Sequence, residues 1–168
     1  MKFNSLEELL IKELQDLYSA ENQLIEALPK VHSAATNPEL KEAIKKHLAE
    51  TKQQVKRLET ALGSLQAEFE GETCKAMKGL ISECEDVIKS QAPAALKDAA
   101  LIGAAQRVEH YEIAGYGTAK AHAKLLDLDE IVDLLDETRK EEAHADKKLT
   151  KIAEGSMFTS GINKQASR

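Results

Sequence analysis

The chain has 168 residues, a length that suits one domain able to bury about 70% of the surface exposed by its unfolded form. Its net charge of −6 argues against nucleic acid as a partner, because binding to a phosphate backbone requires a clustered positive surface. No apolar run approaches the roughly 20 residues of a membrane span, and no hydrophobic signal core follows the first residues. We therefore expect a cytoplasmic protein with no membrane partner.

The composition, rich in Ala, Leu, Glu and Lys, favours helices, and the first two are well marked. Ser5 and Glu8 form a capping box, after which leucines recur at every third or fourth position to about Ala34. Asn37 then stands as the cap of a second helix, with a proline at its first position, and Gly63 ends that helix. The short connection predicts that these two helices form an antiparallel hairpin.

Three further helices are predicted at about 77–88, 94–126 and 129–153, and the fourth is crowded with Ala and Gly. Residues 1–155 are expected to form the domain, and residues 156–168 a flexible tail. Two long hairpins joined by a connection of about 30 residues have the layout of a ferritin-like four-helix bundle. The predicted fold is therefore all-α.

Acidic residues near the middle of each long predicted helix are the main functional signal. Glu21 and Glu142 are central on apolar stripes, and Glu109 shares an inner face with Glu112. Glu50 lies at the edge of its stripe. Because the midpoints of antiparallel helices meet, these side chains are expected at one level of the bundle. The predicted metal ligands, including neighbours one turn away, are Glu21, His47, Glu50, Gln54, Glu109, Glu112, Glu142 and Asp146.

Two interpretations of this acidic set remain open at the level of sequence. Burying an ionised carboxylate without a partner costs several kcal/mol, so two metal ions shared by the acids would explain their position. Such a centre would keep an open position for oxygen or peroxide. The alternative is a buried charge network or a set of protonated acids. A charge network needs inward basic partners, and Arg139 is the one cation placed to reach Glu142.

The remaining polar and sulfur-containing residues are expected to be ordinary. His110 and His144 point away from the stripes toward solvent, whereas His47 is either a ligand or a hydrogen-bonded core histidine. Cys74 and Cys84 are about 15 Å apart along a helix, too far for a disulfide, and are expected to be buried thiols. Tyr18, Tyr111 and Tyr116 lie near the acids, and packing is favoured over hydrogen bonding for all three.

Five segments of the chain resemble the YciE/YciF family of bacterial stress-induced ferritin-like proteins. They are LYSAENQL (17–24), HLAET (47–51), CKAMKGLI (74–81), AAQRVEHYEIA (104–114) and EEAHAD (141–146). The resemblance implies a helical homodimer, similar in fold to rubrerythrins, with a dinuclear metal site. One departure is notable: the ferritin-like Glu-x-x-His pairs are absent, since Gln53 follows Glu50 and Ala145 follows Glu142 at that spacing.

The leading hypothesis is a stress-associated protein with a dinuclear iron or manganese centre that acts on peroxide or oxygen. In it, Glu21 and Glu109 are terminal ligands, Glu50 and Glu142 bridge the metals, and the other four candidates complete an oxygen-rich shell. The alternative hypothesis is a metal-free helical homodimer with a structural or protein-interaction role.

Overall fold

The computed structural model describes residues 3–156 and 159–167 of the chain. It confirms the all-α expectation, and every predicted end of the five main helices lies within two residues of the observed one. The elements are α1 (Leu6–Ala34), α2 (Pro38–Ser64), α3 (Lys75–Lys89), α4 (Ala94–Leu125), α5 (Asp129–Glu154), β1 (Gly155–Ser156), β2 (Thr159–Ser160) and α6 (Ile162–Ala166). Within the described residues, no helix is long and apolar enough to cross a membrane.

The helix starts follow the predicted capping chemistry. The Ser5 hydroxyl accepts a hydrogen bond from the Glu8 amide at 3.0 Å, and the Glu8 carboxylate accepts one from the Asn4 amide at 2.8 Å. The Asn37 side chain accepts from the first two free amides of α2, at 2.9 and 3.1 Å. These contacts satisfy donors that have no partner within the helix, and thereby define where α1 and α2 begin.

The four long helices enclose a common interior. Helix α1 packs against α2 and α4, while α5 packs against α4 and α2, so that each long helix has two long neighbours. Helix α3 lies across α1 and α4. Close approach of α1 and α4 depends on Gly115, because a Cβ atom there would lie 2.9 Å from the Leu17 side chain. Gly115 is thus the glycine of α4 at which a larger residue would collide with a neighbouring helix, whereas Gly103 has no atom of another element within 4 Å.

Two apolar clusters fill this interior, one on each side of a polar level. The α3-side cluster contains Leu24, Leu28, Ile44, Leu101 and Leu149 among others, together with both cysteines, which are buried and unpaired as predicted. The opposite cluster is built from another set, which includes Leu10, Leu14, Leu58, Tyr116 and Leu135. Each long helix contributes to both clusters. In each long helix, the buried polar side chains lie between the residues that join one cluster and the residues that join the other.

Part of the segment predicted to be a tail, Ile162–Ala166, forms helix α6. Helix α6 packs on α4 and α5, and Ile162 is only 2% exposed within the α3-side cluster. A Cβ atom at Gly161 would overlap the backbone of Ala153, Glu154 and Gly155, so glycine permits this close return of the chain. A segment this short, with its few apolar residues not spaced periodically, gives too weak a signal to predict this packing. The domain boundary at residue 155 remains a prediction.

Asp98, which the sequence analysis did not single out, joins the two helix hairpins. It is 2% exposed, and its carboxylate accepts hydrogen bonds from the Thr36 amide at 2.8 Å, the Thr36 hydroxyl at 2.6 Å and the Asn37 amide at 2.8 Å. The first turn of α4 is thereby fixed to the loop between α1 and α2.

We expect Asp98→Ala to lower the free energy of unfolding by about 2 kcal/mol, because it removes the acceptor of two partly buried amides and of the Thr36 hydroxyl. Urea denaturation monitored by circular dichroism measures this change. The exposed Asp86, also helical, offers a matched control, and Asp86→Ala should stay within about 0.5 kcal/mol of wild type. Equal effects of the two substitutions would contradict the assigned role of Asp98.

Candidate metal centre

A level of buried polar side chains separates the two apolar clusters, and we call it the carboxylate belt. Its members are Glu21, His47, Gln54, Glu109, Glu112 and Glu142. His47 is 6% exposed, Glu109 is 2% exposed and the other four are fully buried. Helix α1 supplies one member, α2 two, α4 two and α5 one. The belt therefore assembles where the midpoints of the long helices meet, as the sequence predicted.

Four members of the belt are close enough to share a cation. One potential ligand atom from each of His47, Glu109, Glu112 and Glu142 lies within 4.8 Å of the others. The His47 Nε2 atom is 3.6 Å from Glu109 Oε1, and its Nδ1 atom is 3.9 Å from Glu142 Oε2. Imidazole and carboxylate groups are ligands suited to iron and manganese.

Many ligand atoms of the belt lack a hydrogen-bond partner. They are Glu21 Oε2, His47 Nε2, Glu109 Oε2, Glu142 Oε2 and both carboxylate oxygens of Glu112. A buried polar atom without a partner costs about 1–3 kcal/mol, and more if the group is charged. Cation binding removes this penalty for several atoms at once. The donor set therefore fits a metal ion.

Burial also changes the acidity of the belt. Desolvation, followed by the nearby charge of Glu142, raises the pKa of both Glu21 and Glu109 well above its ordinary value. Desolvation likewise raises the pKa of Glu112, and the charges of Glu21 and Glu142 add to that effect. In the absence of a cation, these three groups favour the protonated form.

Two belt carboxylates are held by neutral donors from neighbouring helices. The Tyr116 hydroxyl donates to Glu21 Oε1, and the Gln54 amide donates to Glu142 Oε1. Gln54 also donates to Glu141 at 3.1 Å, and Arg57 in turn binds both oxygens of Glu141, at 2.6 and 2.9 Å. The sequence favours packing for Tyr116 and gives no signal for Arg57. Both contacts cross between helices, which a helical wheel cannot reveal.

Two of the predicted ligands lie outside the belt. Glu50 is 22% exposed at the side chain and pairs with Lys46, one turn earlier, at 2.6 Å. Asp146 is 20% exposed at the side chain and accepts a hydrogen bond from Gln106 at 2.9 Å. Both occupy the edge of a buried stripe, where a polar neighbour draws the side chain away from the interior. The structure thus brings together the other six of the eight candidates.

The basic side chains of the described residues do not neutralise the belt. Arg139, the predicted partner of Glu142, contacts Asp136 at 3.4 Å instead. In the described part of the chain, no Lys or Arg forms an ion pair with Glu21, Glu109, Glu112 or Glu142. His110 is 67% exposed at its side chain, as predicted, and faces away from the belt. A network of buried ion pairs with Lys or Arg therefore does not explain these four acids.

Sequence comparison identifies close relatives of the chain. Residues 5–166 match the sequence model of a protein family described as a domain of unknown function, DUF892. Protein YciF of Escherichia coli strain K12 is 41% identical over 167 residues, which cover 99% of this chain and 98% of YciF. The resemblance predicted from the five sequence segments is thereby confirmed.

Solved structures support the same relationship. The crystal structure of the E. coli stress protein YciF has a TM-score of 0.86 and 43% identity, and the match covers 89% of this chain and 94% of that one. YcfI from Rhodopseudomonas palustris, whose description proposes a structural role, has a TM-score of 0.86 and 41% identity over 89% and 96% of the two chains. A protein from Xanthomonas campestris has 22% identity to this chain and a TM-score of 0.71, and the match covers 88% of this chain and 89% of that one. It resembles this chain in fold.

The raised pKa values of Glu21, Glu109 and Glu112 predict how the stability of metal-free protein depends on pH. The unfolded chain loses these protons near the ordinary value of 4.5, whereas the folded chain retains them to a higher pH. The stability that these retained protons contribute is complete below the unfolded-state pKa. It is lost as the pH rises toward the higher pKa values of the folded state. Each group contributes a slope of up to about 1.4 kcal/mol per pH unit.

We therefore expect the free energy of unfolding of chelator-treated protein to fall as the pH rises above the ordinary glutamate value of 4.5, as measured by urea denaturation. Glu112→Gln should reduce the slope of the free energy of unfolding against pH by about the contribution of one titrating group. The exposed control Glu83→Gln should leave the slope unchanged. Identical pH profiles for the two variants would contradict the assignment of a retained proton to Glu112.

Proposed function

Because the chain belongs to the DUF892 family of YciF-like proteins, we propose that it is a stress-associated protein whose carboxylate belt holds two divalent cations, iron or manganese. The observation that carries this proposal is the set of partnerless ligand atoms converging within a buried layer. Four ionised carboxylates, those of Glu21, Glu109, Glu112 and Glu142, carry a formal charge of −4, which two divalent cations offset. With a single cation, two of the carboxylates would have to be neutralised by protons instead.

We also propose that the four long helices form a ferritin-like bundle. Support comes from the mutual packing of α1, α2, α4 and α5, and from α3, which lies in the connection between the two hairpins. Metal sites in ferritin-like bundles are built from inward carboxylates on facing helices. Here a single histidine, His47, accompanies four glutamates, so the proposed site is richer in oxygen ligands than the Glu-x-x-His pattern would give.

The proposed ligands are His47, Glu109, Glu112 and Glu142, with Glu21 completing the shell. When bound, iron or manganese would supply redox chemistry toward peroxide or oxygen. Tyr116 and Gln54 fix the orientation of Glu21 and Glu142, and the flanking apolar clusters exclude water from the belt. Outer contacts of this kind tune the affinity of a metal site.

A metal-free structural protein is the competing proposal. The raised pKa values of Glu21, Glu109 and Glu112 support it, because protonated acids need no cation. The structural role proposed for YcfI agrees with it as well. In that case the belt is a set of neutral acids. Its polar groups disfavour the burial of apolar side chains at that level of the four long helices.

Metal analysis distinguishes the two proposals. Protein purified without chelator should contain close to two iron or manganese ions per chain, and Glu142→Leu should remove this metal and lower the melting temperature. Exposed Glu83→Leu provides the matched control, which should retain the metal. On the structural alternative, wild-type protein holds negligible metal. Glu142→Leu then raises stability by about 1–4 kcal/mol, because an apolar group replaces a buried ionisable one.

Tyr116→Phe tests the contact that orients Glu21. Loss of the hydroxyl should weaken manganese affinity by about 10-fold to 100-fold, because the ligand loses its fixed orientation. Tyr111→Phe is the control on the same helix, since its hydroxyl contacts Asp16 and Cys74 instead of a belt residue. Titration calorimetry with Mn²⁺ measures both affinities. Equal affinities for the two variants would rule out a role for Tyr116 at the site.

A further inference from the structure

A cavity of about 60 Å³ lies beside the carboxylate belt, within the α3-side cluster. Side chains from α1, α2, α3, α4 and α5 line it, and its walls are largely aliphatic: Leu24, Leu28, Ile44, Ala104, Val108 and Leu149. One water needs about 10–15 Å³ of such space, so the cavity has room for several molecules of that size.

The chemistry of the walls disfavours water. A buried water is retained where two to four polar groups can bind it, and aliphatic side chains offer none. Apolar cavities of this kind stay dry and bind xenon or small hydrocarbons. Hydrogen peroxide, which has two donors to satisfy, would lose hydrogen bonds on entering, whereas dioxygen would lose almost none.

Polar side chains complete the lining of the cavity. Among them are His47 and Glu109, whose Nε2 and Oε2 atoms lack hydrogen-bond partners. Lys46 and Glu50 of α2 form an ion pair and also line the cavity, and Lys46 is 49% exposed at its side chain. The exposed His144 of α5 lines it as well. An uncharged molecule that enters between α2 and α5 would therefore arrive at the edge of the belt.

We propose that this cavity is a binding site for small uncharged apolar molecules, with dioxygen as its physiological ligand, and that it delivers the ligand to the His47–Glu109 edge of the belt. The choice of dioxygen rests on the proposed metal-dependent function, while binding of an apolar molecule needs no metal. The cavity thereby favours oxygen over peroxide as the oxidant. It also gives Glu50 a place at the cavity entrance.

Xenon is the probe that tests the site. Crystals of metal-free wild-type protein under xenon pressure should show xenon in the cavity, and methyl resonances of the lining residues should shift saturably with xenon in solution. Ala104→Leu fills the cavity and should abolish both signals while keeping or raising the melting temperature. Ala114→Leu, at an exposed position of the same helix, should leave both signals intact.

Ordered water in the wild-type cavity with no xenon would overturn the proposal, as would xenon binding that Ala104→Leu leaves unchanged. If Ala104→Leu does not fold, Ala27→Leu fills the same cavity from α1 and carries the same expectation. Uptake of added Fe²⁺ or Mn²⁺ by the same metal-free wild-type protein separates this proposal from the preceding one. If the protein binds xenon but takes up no metal, the cavity site stands and the metal function is wrong. If it takes up metal but binds no xenon, the metal function stands and the cavity site is wrong.

Discussion

The desolvation of four carboxylates between two apolar clusters is the constraint on which the rest of this structure depends. Glu21, Glu109, Glu112 and Glu142 come from three long helices and meet in a layer from which water is excluded. Their mutual repulsion opposes the packing of those helices, and the apolar clusters on either side must offset it. Protons and metal ions are the two agents able to relieve it, so the bound state of the belt and the stability of the fold are coupled.

The surroundings of the belt leave it open to relief by either agent. Tyr116 and Gln54 each direct a donor at one carboxylate oxygen, that of Glu21 and that of Glu142. Gln54 is itself held through Glu141 to Arg57, which is 16% exposed at its side chain and lies toward the surface. Ligands fixed in this way keep their spacing without a cation. In the metal-free alternative, a protonated Glu112 donates to Glu21 and a protonated Glu109 donates to Glu142.

Helical periodicity predicted much of this arrangement because it depends on one helix at a time. The direction of Glu21, Glu112 and Glu142 follows from apolar neighbours three and four residues away, and the level of the belt follows from helix midpoints. Contacts between helices were harder to foresee. The bond from Tyr116 to Glu21 joins residues 95 positions apart, and its existence depends on a relative helix register that periodicity does not encode.

Glu50, at the edge of its apolar stripe, also shows a limit of what helical periodicity predicts. Glu50 lies one turn from Lys46, and this local ion pair competes with the interior for its carboxylate. An ionised side chain with a choice between solvent and a layer that already contains four acids gains by turning outward. Exclusion of Glu50 from the belt is therefore a consequence of the burial of the others. The same choice pairs the Glu50 carboxylate with Lys46 at the edge of the cavity, while aliphatic side chains form most of the wall beside His47 and Glu109.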